Sequence, residues 1–236
     1  MKDKNQSNKR KEFDRALLSP RPELDLNIST TMFDLNYESS STSTNQFSIG
    51  VNAMLQENIW TGSRFFIPNF RSQNIALYAT KSIHLQDWMF DGGIRYDTRK
   101  LNTFRNQSDA ISSKERNFGN ASGTFGATYK LTPNLKWLLN SAFAWRAPQV
   151  NELYVNGLHH GTASFEIGNP DLKSEKALNF STQLKYQLDS SWQVDLTLYN
   201  NIINDFINMN PSTPATLTLR GAYPTFKFIQ TNALLR

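Results

Sequence analysis

Apolar and polar residues alternate along most of the chain after residue 23. Phe47, Ile49, Val51, Ala53 and Leu55 interleave with Ser48, Gly50, Asn52, Met54 and Gln56. Trp88, Phe90, Ile94 and Tyr96 alternate with Met89, Asp91, Arg95 and Asp97, and Leu178, Phe180, Leu184, Tyr186 and Leu188 with Asn179, Ser181, Lys185 and Gln187. Strand side chains point to opposite faces in turn, so each segment has one oily and one wet side. The pattern predicts nine strands over 24–37, 46–58, 74–85, 88–98, 118–131, 135–146, 178–188, 191–207 and 223–234. In the first of these the apolar set moves from even to odd positions at Met32–Phe33, which predicts a β-bulge. No segment has a helical period. The fold class is all-β.

The connections alternate as well. Those at 39–45, 86–87, 132–134 and 189–190 are tight, whereas 59–73, 99–117, 147–177 and 208–222 are long and polar. An antiparallel meander places successive connections at opposite ends, so one end is trimmed and the other elaborated. Outer-membrane barrels have this asymmetry, with short periplasmic turns and long external loops. The strands reach the ~9–11 residues that a tilted strand needs to cross a bilayer. Trp88, Tyr129, Trp137, Tyr186 and Trp192 flank the tight turns and predict an aromatic girdle, with Trp60, Tyr96, Trp145 and Tyr199 as a second. Asn52, Arg95, Lys130, Asn140, Gln183, Lys185 and Asp195 would then face a wet lumen, with Lys81 the exception on the lipid side.

Composition adjusts this picture only slightly. Lys and Arg number 25 against 20 Asp and Glu, a net charge of +5. Much of the excess sits in the first fifteen residues, which predicts a polar, basic extension over 1–22 ahead of a barrel portion over 23–236. The near-neutral remainder gives no reason to expect a nucleic-acid partner. With Cys 0, disulfides, thiolate metal sites and cysteine nucleophiles are excluded. Bacterial barrels close with even strand numbers, so nine strands predict a segment of a larger barrel, truncated on both sides.

Residues 141–186 read SAFAWRAPQVNELYVNGLHHGTASFEIGNPDLKSEKALNFSTQLKY. Arg146, Ala147, Pro148, Glu152, Leu153, Tyr154, Gly157, His159, Thr162, Phe165, Glu166, Gly168, Asn169, Leu172, Glu175 and Asn179 resemble the late barrel of the TonB-dependent outer-membrane receptors. Fainter similarity lies in Gly93–Asp97, Ile67–Pro68 and Gln230–Ala233. Trp145 and Ala177 depart from the pattern. The resemblance implies a bacterial outer-membrane receptor importing a scarce nutrient: an iron chelate, haem, a metal ion or a glycan. Its partners would be outer-membrane lipid, the small nutrient, and the TonB energy-transducing complex, reached through a plug domain outside this segment. A passive porin and a soluble all-β ligand-binding module are the alternatives.

The residues themselves give most of the long loop a structural task. Pro148 removes an amide donor and stops a strand, and Asn169–Pro170 signals a turn. The histidines are His84, His159 and His160, in no arrangement that suggests catalysis, so no enzyme and no resident cofactor is expected. His159 and His160 stand close in sequence to Glu152 and Glu166, and imidazole with carboxylate suits zinc or iron. These four are the candidate ligand contacts, with the two histidines as candidate metal ligands. Gly157, His159 and Thr162 also resemble a pattern of family members that take up zinc or haem.

Overall fold

In a computed structural model, residues 2–13, 22–39, 45–63, 65–104, 114–159, 161–188, 191–218 and 221–235 are described. The long strands are β1 (Lys2–Glu12), β2 (Leu24–Ser39), β3 (Asn45–Trp60), β4 (Asn69–Leu85), β5 (Trp88–Phe104), β6 (Lys114–Thr132) and β7 (Leu135–Arg146). A helix α1 (Val150–Tyr154) and short strands β8 (Asn156–His159) and β9 (Ser164–Ile167) follow, then β10 (Glu175–Gln187), β11 (Gln193–Thr218) and β12 (Gly221–Leu235). All twelve strands form one sheet in the order β1-β2-β3-β4-β5-β6-β7-β10-β11-β12-β9-β8. Pairing is antiparallel throughout, save for the parallel contact of β12 with β9. The nine expected strands are all present as a meander.

One face of this sheet is oily and open. Leu55, Ile75, Leu77, Ile94, Phe125, Leu184 and Leu198 all point outward and are exposed, Ile94 at 72%. Adjacent strands continue the row: Leu77 pairs with Tyr96, and Ile75 with Thr98. Beyond this row the outward positions turn charged, and there Arg71 meets Glu57 at 2.5 Å and Lys100 meets Glu115 at 3.0 Å. An exposed apolar band bounded by ion pairs is what a bilayer requires and what a water-facing sheet avoids. At the other end Trp88 pairs with Tyr129 and Tyr129 with Trp137, and the Trp88 and Tyr129 rings stack at 4.4 Å. That girdle stands as expected. Its counterpart loses Tyr199, which pairs with Ser181 on the inward face. It also loses Trp60, which is 8% exposed and faces inward, its backbone N–H donating to Asn69 Oδ1 at 2.6 Å.

The opposite face curls around the long loop. Leu24 and Leu26 of β2, Leu101 of β5, Ile207 of β11 and Phe228 of β12 share one buried cluster with Val150, Leu153, Val155 and Leu172 of the loop. Strands so far apart in the sheet reach common neighbours only if the sheet wraps the loop. This explains the phase change in β2. No bulge occurs at Met32–Phe33, since the β2–β3 register runs unbroken from Leu26 to Ser39. The strand keeps its alternation, and the apolar face changes instead. Leu24 and Leu26 point inward under the loop, whereas Leu35 and Tyr37 point outward.

Two other expectations change. Residues 2–12 are not a free extension but an edge strand, pairing with β2 from Lys2↔Asp34 to Glu12↔Leu24. Backbone hydrogen bonds make a ladder without apolar alternation, so the periodicity carried no trace of it. The expected long loop at 208–222 is mostly ladder too, with β11 and β12 paired out to Thr218↔Gly221 and register shifts after Ile203 and Ser212. Its polar, proline-containing sequence concealed strands that stand clear of the apolar band.

Candidate functional site

The loop between β7 and β10 is folded, not slack. Pro148 ends β7, and α1 begins where the Glu152 carboxylate accepts the Gln149 N–H at 2.7 Å, a carboxylate cap on the first turn. Glu152 also receives Arg146 Nη1 at 2.9 and 3.0 Å, and Arg146 Nη2 reaches Glu175 Oε2 at 3.0 Å. Glu175 Oε2 accepts the Ile207 N–H at 3.0 Å as well. One guanidinium thus ties the ends of β7 and β10, the helix and β11. On the far side Arg116 donates to the carbonyls of Pro170 and of Leu172, the latter at 2.9 Å. Gln230 receives the Lys173 N–H and returns a bond to its carbonyl, both at 2.9 Å. Burial pushes the Tyr154 phenol above its usual range, and the nearby Arg116 opposes the shift.

The glycines in the loop are there for close approach. A Cβ at Gly157 would stand 2.7 Å from the Phe65 carbonyl oxygen, and one at Gly168 only 2.6 Å from Leu153 backbone. Leu153 and Leu172 are 1% and 0% exposed. Most of the motif therefore builds the loop, as the residue-level reading expected.

The four candidate contacts separate into two places. Glu152 lies at the loop root, with both oxygens engaged. His159 and Glu166 meet on the β8/β9 hairpin, with Nδ1 and Oε1 2.7 Å apart and Glu166 buried to 5% exposure. The His159 Nε2 lies 3.3 Å from Arg10 Nη2 on β1. Arginine can only donate, so Nε2 accepts and Nδ1 carries the proton given to Glu166. The His159 ring also packs at 5.4 Å from Phe66. His160 lies outside the described residues. Among the described residues no three His, Asp or Glu side chains gather as a metal site. Arg10 was missed from sequence, because nothing in a basic tail signals a partner 149 residues away.

The profile of the TonB dependent receptor-like β-barrel family matches residues 4–233. The chain belongs to this family. TonB-dependent receptors are transport receptors, and the sheet is accordingly part of a transmembrane outer-membrane β-barrel. Among similar proteins, the vitamin B12 transporter BtuB of Photobacterium profundum is 27% identical over 140 residues, 58% of this chain and 19% of the relative. The heme/hemopexin utilization protein C of Haemophilus influenzae is 26% identical over 157 residues, 60% and 21% respectively. The chain thus spans about a fifth of the length of these curated relatives. In fold it matches the hemophore receptor HasR of Serratia marcescens, solved with its hemophore HasA and heme. That match has a TM-score of 0.66 at 13% identity, covering 90% of this chain and 39% of HasR.

Proposed function

We propose that this chain is the barrel portion of a bacterial outer-membrane receptor that actively imports a scarce nutrient, in the range of an iron chelate, haem, a metal ion or a glycan, and that it is not an enzyme. The family profile over residues 4–233 carries the reading. The wall contacts outer-membrane lipid, and a plug elsewhere in the full receptor couples the import to TonB. The β8/β9 hairpin offers the capture contact. Glu166 fixes the tautomer and orientation of His159, a carboxylate–imidazole arrangement that prepares Nε2 for a ligand once Arg10 yields. His160, adjacent in sequence, shares this role in the proposal, and Glu152 supports the loop from its root.

Uptake by cells carrying the full-length receptor tests the reading. Haem, ferric chelates and zinc are each supplied in limiting amounts, before and after the proton gradient is collapsed. Uptake of one of them is expected to stop on collapse, whereas continued leakage at the same rate indicates a passive pore. With that solute, His159→Ala and Glu166→Gln are expected to weaken binding by about tenfold or more. Unchanged affinity in both retires the hairpin as the capture contact and leaves the transport reading standing.

A further inference from the structure

Beneath the root of the folded loop the inner wall forms an open cleft of about 340 Å³, lined by Asn74, Arg95, Asp97, Arg99, Arg146 and Gln149, among others. Ser122 also faces it. The alternation of β5 puts Arg95, Asp97 and Arg99 on the same inward side, so one strand delivers three charges to a single space. Two of the cationic groups there are already neutralised. Arg95 meets Asp97 at 2.7 Å, and Arg146 is shared by Glu152 and Glu175.

Arg99 is different. It is 9% exposed, yet among the described residues no carboxylate lies within ion-pair distance of it. Its bonds go to neutral oxygens, Nε to Ser72 Oγ at 3.1 Å and Nη1 to the Pro148 carbonyl at 3.3 Å. Glu152 acts on it only through space and has both oxygens engaged elsewhere. A guanidinium has five N–H donors, so this one keeps donors to spare at the edge of the cleft. A buried charge that is not paired is costly to keep, and arginine cannot shed its proton to relieve that cost.

We propose that Arg99 anchors a binding site for a small oxyanion, a carboxylate or phosphate group, in the lumen directly under the loop. The planar fork of the guanidinium suits two oxygens of such a group. Gln149, Asn74 and Ser122 supply neutral hydrogen-bonding groups around it. The space is near the lower end of the range for small-molecule sites, which excludes a bulky ligand lying wholly within it. The Pro148 carbonyl links the same guanidinium to the loop root. Occupancy of the cleft is therefore felt where β7 meets α1, and an anion competes with that carbonyl for Arg99. This site is separate from the His159 hairpin and does not depend on the identity of the imported solute.

The test uses the complete receptor in detergent, with inorganic phosphate and acetate as probes. Binding is read by calorimetry and by line broadening in phosphorus NMR. Wild type is expected to bind phosphate saturably, Arg99→Gln to bind it at least about tenfold more weakly, and Arg99→Lys to fall between. Ser72→Ala removes the wall bond, keeps the charge, and is expected to hold phosphate within a few-fold of wild type. It thereby separates anion binding from a purely structural role. If Arg99→Gln fails to fold, the wild-type and Arg99→Lys isotherms decide, and equal binding by those two overturns the proposal. No saturable binding of either anion by wild type, or equal binding by wild type and Arg99→Gln, overturns the proposal.

Discussion

Replacing Ile94 by Arg is expected to destabilise the assembled barrel by about 2–4 kcal/mol in lipid vesicles, the cost of a charged side chain near the middle of the lipid-facing wall. Ile94 sits opposite Ala79 and Gly123 in the ladder, inside the outward apolar row, and 72% of its surface is open. In water that exposure would make the substitution nearly neutral, within about 0.5 kcal/mol, because a surface side chain with few contacts loses little. Gln183→Arg provides the internal control. Gln183 pairs with Leu138 and Thr197 on the inward face, where a wet lumen accepts a charge at little cost. Denaturant unfolding of the full-length receptor in vesicles should give a large shift for Ile94→Arg and a small one for Gln183→Arg. Equal small shifts would mean that the oily face meets water.

Arg146→Ala should unfold the loop at 147–174 while sparing the wall. The arginine is itself partly solvated, with 37% of its side chain exposed, but its partners Glu152 and Glu175 are only 12% and 13% exposed. Removing it leaves two half-buried carboxylates near one another and frees the ends of β7, α1 and β10. Breaking a buried pair from one side costs ~3–5 kcal/mol, and the exposure of Arg146 reduces the expected loss to about 2–4 kcal/mol. Limited proteolysis should then cut between Pro148 and Lys173 while the strands on either side stay protected. Arg146→Lys should recover part of the protection, since it restores the charge but cannot fork to two carboxylates. An intact loop in Arg146→Ala would show that the apolar contacts of Leu153 and Leu172 suffice to hold it.

The parts of this fold that sequence exposed are those where one face meets lipid and the other a lumen. Phe47 to Leu55, Trp88 to Tyr96 and Leu178 to Gln187 lie in that zone, and each is a strand in the structure. Above it the rule changes. Leu24 and Leu26 turn inward to cover the loop, so an unbroken strand looked bulged. Trp60 joins the same cluster and leaves the girdle for the same reason. Where neither face is apolar, as in Lys2–Glu12 and the outer part of β11, pairing rests on the backbone and periodicity has nothing to register. The site divides in the same way. Pro148, Asn169, Glu152 and Glu175 read as loop scaffolding from residue types alone, although Glu152 also stood among the candidate ligand contacts, and the Arg146 fork that joins the two glutamates did not show. Arg10 against His159 and Arg99 against Pro148 are contacts across 149 and 49 residues that only the curled sheet creates.

The orientation of the two faces is open to direct measurement, because this chain has no cysteine and single labels can be placed in it one at a time, any cysteine elsewhere in the receptor being replaced first. Nitroxide labels at Leu77, Ile94, Leu184 and Leu198 are compared with labels at Asn52, Asn140 and Gln183, in the full-length receptor reconstituted in bilayers. Collisions with oxygen, which partitions into lipid, should dominate at the first four, and collisions with a water-soluble nickel chelate should be scarce there. Labels at the other three should not share that lipid signature. Free access of the nickel chelate to Leu77 and Ile94 would contradict the membrane-spanning account at its root.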